Sequence, residues 1–152
     1  MSVSWPFSAP AEMLNTKVNI EAELMLEGMS LEQKVGQMIQ PDIRYITPAE
    51  LSEYHIGTVL SGGGAPPNEN VYADTAEWLQ MADEFYDASL KSGAPLPCAW
   101  GIDAVHGHNN LFCATLFPHN IGIGATRNPE LARKIAEATA IEVAATGLDW
   151  TF

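Results

Sequence analysis

The stretch that decides the fold is PLPCAWGID, residues 95–103, an apolar run that ends at Asp103. Two similar short runs flank it, HIGTVL at residues 55–60 and LDWTF at residues 148–152. None of these runs alternates apolar with polar residues, which is typical of strands in a parallel sheet covered on both faces. Helical patterns separate them, so the chain is predicted to be an α/β protein with a parallel sheet.

The two helices predicted between these strands have clear end signals. Asp74 caps the first, and Trp78 and Phe85 lie on its apolar side, where they are predicted to join the core. Asn128 with Pro129 begins the second, and Gly147 ends it. The intervening segment 104–127 is rich in His, Asn and Gly and is predicted to be a functional loop rather than regular structure.

Short helices are predicted before the first strand. Residues 1–16 form an irregular lead-in, and residues 17–152 form one domain that opens with a helix over 18–27, ended by Gly28. Ser30 and Gln33 make a capping box that begins a second helix. Its apolar side carries Leu31, Val35, Met38 and Ile39. The final strand has no following helix, which suggests a piece of a larger α/β protein, such as the first three strands of a (β/α) barrel.

Charge and composition exclude several functional classes. The 152 residues include 7 Lys+Arg and 19 Asp+Glu, for a formal net charge of −12 at pH 7, and 47% are hydrophobic. Such a chain has neither the basic face that binds nucleic acid nor the charge to bind an anionic membrane. It has no apolar run of about 18 residues, as a membrane-spanning helix requires. Cys98 and Cys113 are predicted to be two buried free thiols.

The N-terminal residues do not have the features of a signal peptide. No Lys or Arg precedes Lys17, and there is no continuous apolar stretch. The sequence therefore makes no prediction of a cellular compartment.

Asp103 is the most informative candidate site residue. It stands where an apolar strand ends, and ligands of parallel α/β sheets bind at the carboxyl ends of the strands. An ionised carboxylate there can accept two hydrogen bonds from a pair of neighbouring sugar hydroxyls. The alternative is a structural role, in which Asp103 caps backbone amides of its own loop.

Three histidines follow Asp103 in the same segment. His106 and His108 form an H-x-H pair, which at a strand end can bind a metal ion and support metal-assisted hydrolysis. Gly107 makes a straight strand there doubtful, and no acidic cluster completes a ligand set. Hydrogen bonds that fix the loop are therefore favoured over a metal for these imidazoles and for His119.

Glycine-rich segments give only weak signals for a phosphate site. Residues 61–64, SGGG, follow a strand but lack the Lys-Ser/Thr of a P-loop, and GIG at 122–124 is half of a dinucleotide fingerprint. Both are interpreted as tight turns that allow a ligand or another segment to approach closely.

The segment AWGIDAVHGHNNLFCATLFPHNIGIGATRN, residues 99–128, resembles glycoside hydrolase family 3, in its β-glucosidase and exo-glucanase branch. The flanking segments MSLEQKVGQMIQ (29–40), IGTVLSGGG (56–64) and PELARKIAEATAIEVAATGLDWTF (129–152) agree, so the resemblance covers about residues 20–152. The β-N-acetylglucosaminidase branch usually has an acidic-Gly-Gly-Arg pattern where this chain has DAVHG at 103–107. That difference favours the glucosidase side.

The resemblance implies the N-terminal part of a (β/α)₈ TIM-like barrel, usually followed by an α/β sandwich domain. It implies a retaining mechanism with an Asp nucleophile and a Glu acid/base, whose carboxyl groups lie about 5–5.5 Å apart. Neither residue has a counterpart in this chain, so no catalytic residue is assigned here. Asp103 matches the family's Asp that holds hydroxyls of the terminal sugar in the −1 subsite. His106, His108, Asn109 and Asn110 are expected to support it.

The implied partners are a β-glucoside or β-glucan oligosaccharide and the remaining part of the barrel with its second domain. No cofactor or metal is implied, and family members are often periplasmic or secreted. Two alternatives remain open: a metal-assisted hydrolase half-barrel that uses His106 and His108, and a non-catalytic carbohydrate-binding remnant.

Overall fold

The computed structural model describes residues 16–152, with side chains from residue 20. The predicted lead-in over residues 1–16 lies outside the described residues, apart from Thr16, which begins the first helix. The described helices are α1 (Thr16–Gly28), α2 (Leu31–Gln37), α3 (Pro48–Glu53), α4 (Thr75–Ser89), α5 (Asn120–Ala125) and α6 (Pro129–Ala145). The strands are β1 (Thr58–Ser61), β2 (Ala99–Ile102) and β3 (Trp150–Thr151).

The three strands form one parallel sheet in the order β1-β2-β3, which confirms the predicted α/β fold. Val59 pairs with Trp100, and Gly101 pairs with Trp150. Both connections between strands run through a helix, α4 or α6, as parallel pairing requires. Beyond the edge of β1, Asp42 makes an isolated parallel bridge to Leu60, which brings the segment after α2 alongside the sheet.

One face of the sheet is packed against α4. Trp78 of α4 is fully buried and lies 6.1 Å, centroid to centroid, from the ring of Trp100 on β2. Phe85, further along the same side of the helix, contacts the same Trp100 ring edge-on at 5.6 Å. The indole N–H of Trp100 donates to Ser61 Oγ at 3.0 Å, so its polar atom is satisfied inside the core. The predicted core positions 78 and 85 are confirmed, and Trp100 joins them.

The opposite face of the sheet carries a close contact between β2 and β3. The indole of Trp150 lies over Gly101, and a β-carbon at position 101 would collide with it. Trp150 itself is only partly buried, and its ring meets Phe152 edge-on at 4.7 Å. Glycine is thus required at 101 by the neighbouring strand.

Two short helices were not predicted. The segment 104–127 is not loop throughout, because α5 (Asn120–Ala125) lies within it, and α3 (Pro48–Glu53) precedes β1. Each is held by one buried apolar side chain, Ile123 in α5 and Leu51 in α3. Helices of six residues depend on such tertiary contacts more than on their own propensity, so a sequence pattern predicts them poorly.

The prediction of two buried thiols is correct for one cysteine only. Cys98 is buried, and burial raises the pKa of its thiol to about 12, which makes it unreactive. Cys113 is exposed, because it lies in the loop after β2 with a φ of +66° that turns the chain at the surface.

The first helices leave apolar side chains in contact with solvent. In α2, Leu31 is 72% exposed, and Met38 directly after the helix is 79% exposed. Among the described residues, no helix combines the length and apolar character needed to cross a membrane.

Candidate functional site

Asp103 lies directly after β2, at the carboxyl edge of the sheet, as its position in the sequence predicts. Its Oδ2 accepts a hydrogen bond from the backbone N–H of Gly63 at 3.0 Å. Its backbone oxygen accepts one from the amide of Asn110 at 3.0 Å. Within residues 16–152, Gly63 is the only donor to this carboxylate, so Oδ1 is available to hydroxyl groups of a ligand.

The glycine-rich turn after β1 provides that donor. Residues 62–64 form a short 3₁₀ turn in which Gly63 has a φ of +60° and Gly64 a φ of +80°. A β-carbon at Gly64 would collide with the side-chain oxygen of Asn110, whereas one at Gly63 would meet nothing within 4 Å. The turn therefore lies against the Asn110 loop on one side and borders open space on the other. The predicted tight turn approached closely by another segment is confirmed for residues 61–64. The same prediction is wrong for residues 122–124, because Gly122 and Gly124 lie within α5 and a β-carbon on either would meet nothing within 4 Å.

A carboxylate–guanidinium pair, Asp42 with Arg44, binds the first residue of this turn, Gly62. Arg44 donates through Nε and Nη2 to the two oxygens of Asp42, each at 2.8 Å. Asp42 Oδ2 also accepts the N–H of Gly62 at 3.1 Å, and Arg44 Nη2 reaches the carbonyl of Gly62 at 3.2 Å. Hydrogen bonds from Arg44 lower the pKa of the Asp42 carboxyl, which keeps the pair charged.

The loop after Asp103 is organised by a chain of side-chain hydrogen bonds. The N–H of His106 donates to Asn109 Oδ1 at 3.3 Å, and Asn109 Nδ2 donates to Asn110 Oδ1 at 3.0 Å. Asn110 in turn donates to the backbone of Asp103. The His106 ring bonds through Nδ1 to the carbonyl of Phe117 at 3.2 Å, which ties the far end of the loop to its beginning.

His108 is separated from this chain of bonds and is fully buried. Its Nε2 lies 2.8 Å from Thr146 Oγ1, whose proton is directed to the carbonyl of Val143 at 2.7 Å. Nε2 therefore carries the proton and donates, and Nδ1 is a buried acceptor with no partner among the described residues. Burial lowers the pKa of His108, and the charge of nearby Glu142 opposes the shift.

The structure does not bring His106 and His108 together as a chelating pair. His108 is directed at α6, while the His106 ring contacts that of His119 edge-on, with the centroids 4.2 Å apart. Across residues 16–152 no group of three or more His, Cys, Asp or Glu side chains is arranged to hold a metal ion. The geometry offers no support for the metal-assisted alternative.

Sequence reasoning missed Asp42 and Arg44, and it did not connect Gly63 with Asp103. The Asp42–Arg44 pair lies 18 to 20 residues before the glycine turn, with no motif that joins them. The one available signal was the position of Asp42 directly after Pro41, which ends the predicted second helix and starts an extended segment.

A family model, glycosyl hydrolase family 3 N terminal domain, matches residues 30–152. The chain belongs to this family. Its sequence is 46% identical to an exo-1,3/1,4-β-glucanase from a Pseudoalteromonas species, whose crystal structure superposes with a TM-score of 0.85 over 99% of this chain. It is 32% identical over 144 residues to the lysosomal β-glucosidase of Dictyostelium discoideum, a match that covers 84% of this chain.

A family 3 β-N-acetylglucosaminidase from Paenibacillus sp. is less similar, at 25% identity and a TM-score of 0.67 over 82% of this chain. The predicted resemblance and the predicted N-terminal part of a TIM-like barrel are thus both confirmed. The chain spans 17% of the Dictyostelium β-glucosidase and 19% of the Pseudoalteromonas glucanase. Of the N-acetylglucosaminidase it spans 24%.

Proposed function

We propose that this family 3 chain is part of a retaining, exo-acting β-glucosidase that removes terminal β-D-glucosyl residues from oligosaccharides or glucans. Its contribution is the part of the −1 subsite in which Asp103 binds the terminal sugar. The observation that carries the proposal is the carboxylate of Asp103. It stands at the carboxyl edge of the sheet, with Oδ2 held by Gly63 and Oδ1 available. A carboxylate fixed through one oxygen can accept a hydroxyl at the other without reorganising.

In this role Asp103 binds hydroxyls of the terminal glucosyl ring and transfers no proton. Two hydrogen bonds from neighbouring hydroxyls to an ionised carboxylate are charge-assisted and directional. They orient the ring, so that binding energy gained away from the glycosidic bond favours the reactive geometry. The loop of His106, Asn109 and Asn110 supports Asp103 through its backbone, while His108 anchors the same loop to α6.

Breaking the bond requires the nucleophile and the acid/base, for which no residue of this chain is proposed. We therefore expect no turnover of 4-nitrophenyl β-D-glucoside by residues 1–152 alone, because positioning without a nucleophile cannot cleave the bond. The chain spans between 17% and 24% of the three relatives named above. We propose that the two carboxyl groups come from segments that correspond to the later parts of those relatives.

The test is Asp103→Ala in the complete hydrolase. Loss of two charge-assisted hydrogen bonds is expected to lower kcat/KM for 4-nitrophenyl β-D-glucoside by at least about 100-fold, with the thermal unfolding midpoint nearly unchanged. Asp149→Ala is the matched control: Asp149 also accepts a backbone N–H, that of Trp100 at 2.7 Å, but at the opposite end of the strands. The control should lower stability and leave KM unchanged. Wild-type kinetics in Asp103→Ala would reduce Asp103 to a loop cap.

A further inference from the structure

A single peptide group joins Arg44 to Asp103. The carbonyl of Gly62 and the N–H of Gly63 belong to the same planar unit, in which the two groups point in opposite directions. Arg44 Nη2 donates to that carbonyl at 3.2 Å on one side, and the N–H donates to Asp103 Oδ2 at 3.0 Å on the other. The peptide therefore bridges a guanidinium and the candidate sugar-binding carboxylate.

Within the turn itself, this peptide is held by one long hydrogen bond, from the N–H of Ala65 to the Gly62 carbonyl at 3.3 Å. Gly63 is exposed, and a β-carbon built on it meets nothing within 4 Å. A glycine stands on either side of the peptide, so rotation of the peptide plane meets little steric resistance. After such a rotation the N–H would point away from Asp103, and a carbonyl oxygen would face the carboxylate instead.

The Asp42–Arg44 pair is placed to prevent that rotation. It binds both polar groups of Gly62, the N–H through Asp42 at 3.1 Å and the carbonyl through Arg44. Two hydrogen bonds to Asp42, each at 2.8 Å, fix the orientation of the Arg44 guanidinium. The guanidinium is therefore already oriented toward the Gly62 carbonyl. Donation to a carbonyl also polarises the peptide and strengthens its N–H as a donor.

We propose that Arg44 is a positioning residue for sugar binding: it holds the Gly62–Gly63 peptide in the orientation that fixes the Asp103 carboxylate, although it does not touch the sugar. This inference rests on the proposed function. It requires that removal of the guanidinium weaken sugar binding through Asp103 and through no other route. A glycosyl group bound at Asp103 should also be held less selectively once the carboxylate is free to turn.

The experiment compares Arg44→Met and Arg44→Lys in the complete hydrolase with 4-nitrophenyl β-D-glucoside as substrate. Arg44→Met is expected to raise KM and the inhibition constant of glucose about tenfold, with kcat within about threefold, as for loss of one charge-assisted hydrogen bond. Arg44→Lys keeps the charge but has no counterpart of the Nε bond to Asp42 that fixes the guanidinium, so it should restore part of the loss.

Two further measurements separate positioning from a general structural role. In an Asp103→Ala background, Arg44→Met should have no additional effect on KM. Amide hydrogen exchange at Gly62 and Gly63 should be at least about tenfold faster in Arg44→Met than in the wild type. The matched control is Arg133→Met, which removes another ion-paired guanidinium, 53% exposed against 44% for Arg44, from its pairs with Glu130 and Glu137 on α6. It should change none of these quantities.

The results distinguish this inference from the proposed function. An inactive wild-type hydrolase would overturn the proposed function, while amide exchange would still decide whether Arg44 holds the peptide. An active wild type with unchanged KM and exchange in Arg44→Met would overturn the inference alone. Equal rises in KM with and without Asp103 would also overturn it. If Arg44→Met does not fold, Asp42→Asn with Arg44 retained serves the same comparison.

Discussion

The helices α2 and α4 have the same capping pattern at their first turn but differ in how far their apolar sides are buried. Each has a complete capping box, Ser30 with Gln33 in α2 and Asp74 with Glu77 in α4. Each also has an apolar side at helical spacing. Yet Trp78 of α4 is fully buried, whereas Leu31 of α2 is 72% exposed.

The difference lies in where the covering surface comes from. The helix α4 follows β1 and returns across the sheet, so β1 and β2 cover its apolar side with residues of the same segment. The helix α2 precedes β1 and has no strand beneath it within residues 16–152. A binary pattern thus predicts that a helix forms and which side is apolar, but it does not say whether the chain itself covers that side.

The largest expected effect is at Trp78. Replacing Trp78 with Ala removes the side chain around which Trp100, Phe85 and His108 pack, and leaves a cavity. We expect the free energy of unfolding to fall by about 3–5 kcal/mol. Urea unfolding followed by circular dichroism checks this. A loss below about 1 kcal/mol would mean that α4 is no better packed than α2.

The second largest expected effect is a loss of unfolding free energy on acidification. It arises at His108, whose ring contacts Trp78 of α4. Burial lowers the pKa of His108 in the folded state, so the unfolded chain takes up its proton first as the pH falls. Its contribution to stability is therefore complete above the ordinary histidine pKa of about 6.5 and is lost as the pH falls below it.

Urea midpoints from pH 8 to pH 5 test this expectation. His108→Asn should be less stable at pH 8 but should lack the extra loss between pH 7 and pH 5. The exposed His119 provides the control, because His119→Asn should keep the acid-dependent loss. An identical pH profile in the wild type and in His108→Asn would show that another group titrates in this range.

The two helix caps offer a smaller and more direct comparison. Asp74 accepts the N–H groups of Ala76 and Glu77, and Asp74→Ala is expected to cost about 1 kcal/mol of unfolding free energy. Ser30→Ala removes the equivalent bond from the N–H of Gln33. The first turn of α2 can then unwind, but this exposes little additional apolar surface because that surface already faces solvent. The cost of Ser30→Ala should be a few tenths of a kcal/mol. If urea midpoints show that Asp74→Ala and Ser30→Ala cost the same unfolding free energy, the proposed difference in packing between α4 and α2 is wrong.

The smallest effect on stability is expected on the apolar side of α2. Met38→Ser should change the unfolding free energy by less than about 0.5 kcal/mol, because this side chain is 79% exposed. What should change is self-association. The net charge of −12 opposes it at low salt, and added salt screens this repulsion between copies of the chain. Light scattering across a salt series should rise for the wild type and rise less for Met38→Ser.

The sequence was sufficient for those parts of the fold that have their own local signals. The strands around residues 59, 101 and 150 and the long helices α4 and α6 were predicted from apolar runs, caps and glycine stops. The six-residue helices α3 and α5 were missed, because each depends on one buried contact, at Leu51 or Ile123, that only the folded chain provides.

The candidate site was predictable to the same extent. The place of Asp103 at a strand end follows from the sequence, since the end of an apolar run locates the edge of the sheet. Its partner Gly63 lies 40 residues away and reaches it only because β1 and β2 are neighbours in the same register. Arg44 is two contacts removed from Asp103, and no pattern in the sequence joins such residues.

The indole of Trp150 lying over Gly101 limits the order in which these two positions can change during evolution. A β-carbon at 101 collides with the large ring, so Gly101→Ala requires the Trp150 ring to move out of its place. A smaller residue at 150 opens the space, after which 101 can acquire a side chain. The two sites are therefore epistatic, and a side chain at 101 costs least after position 150 has become smaller.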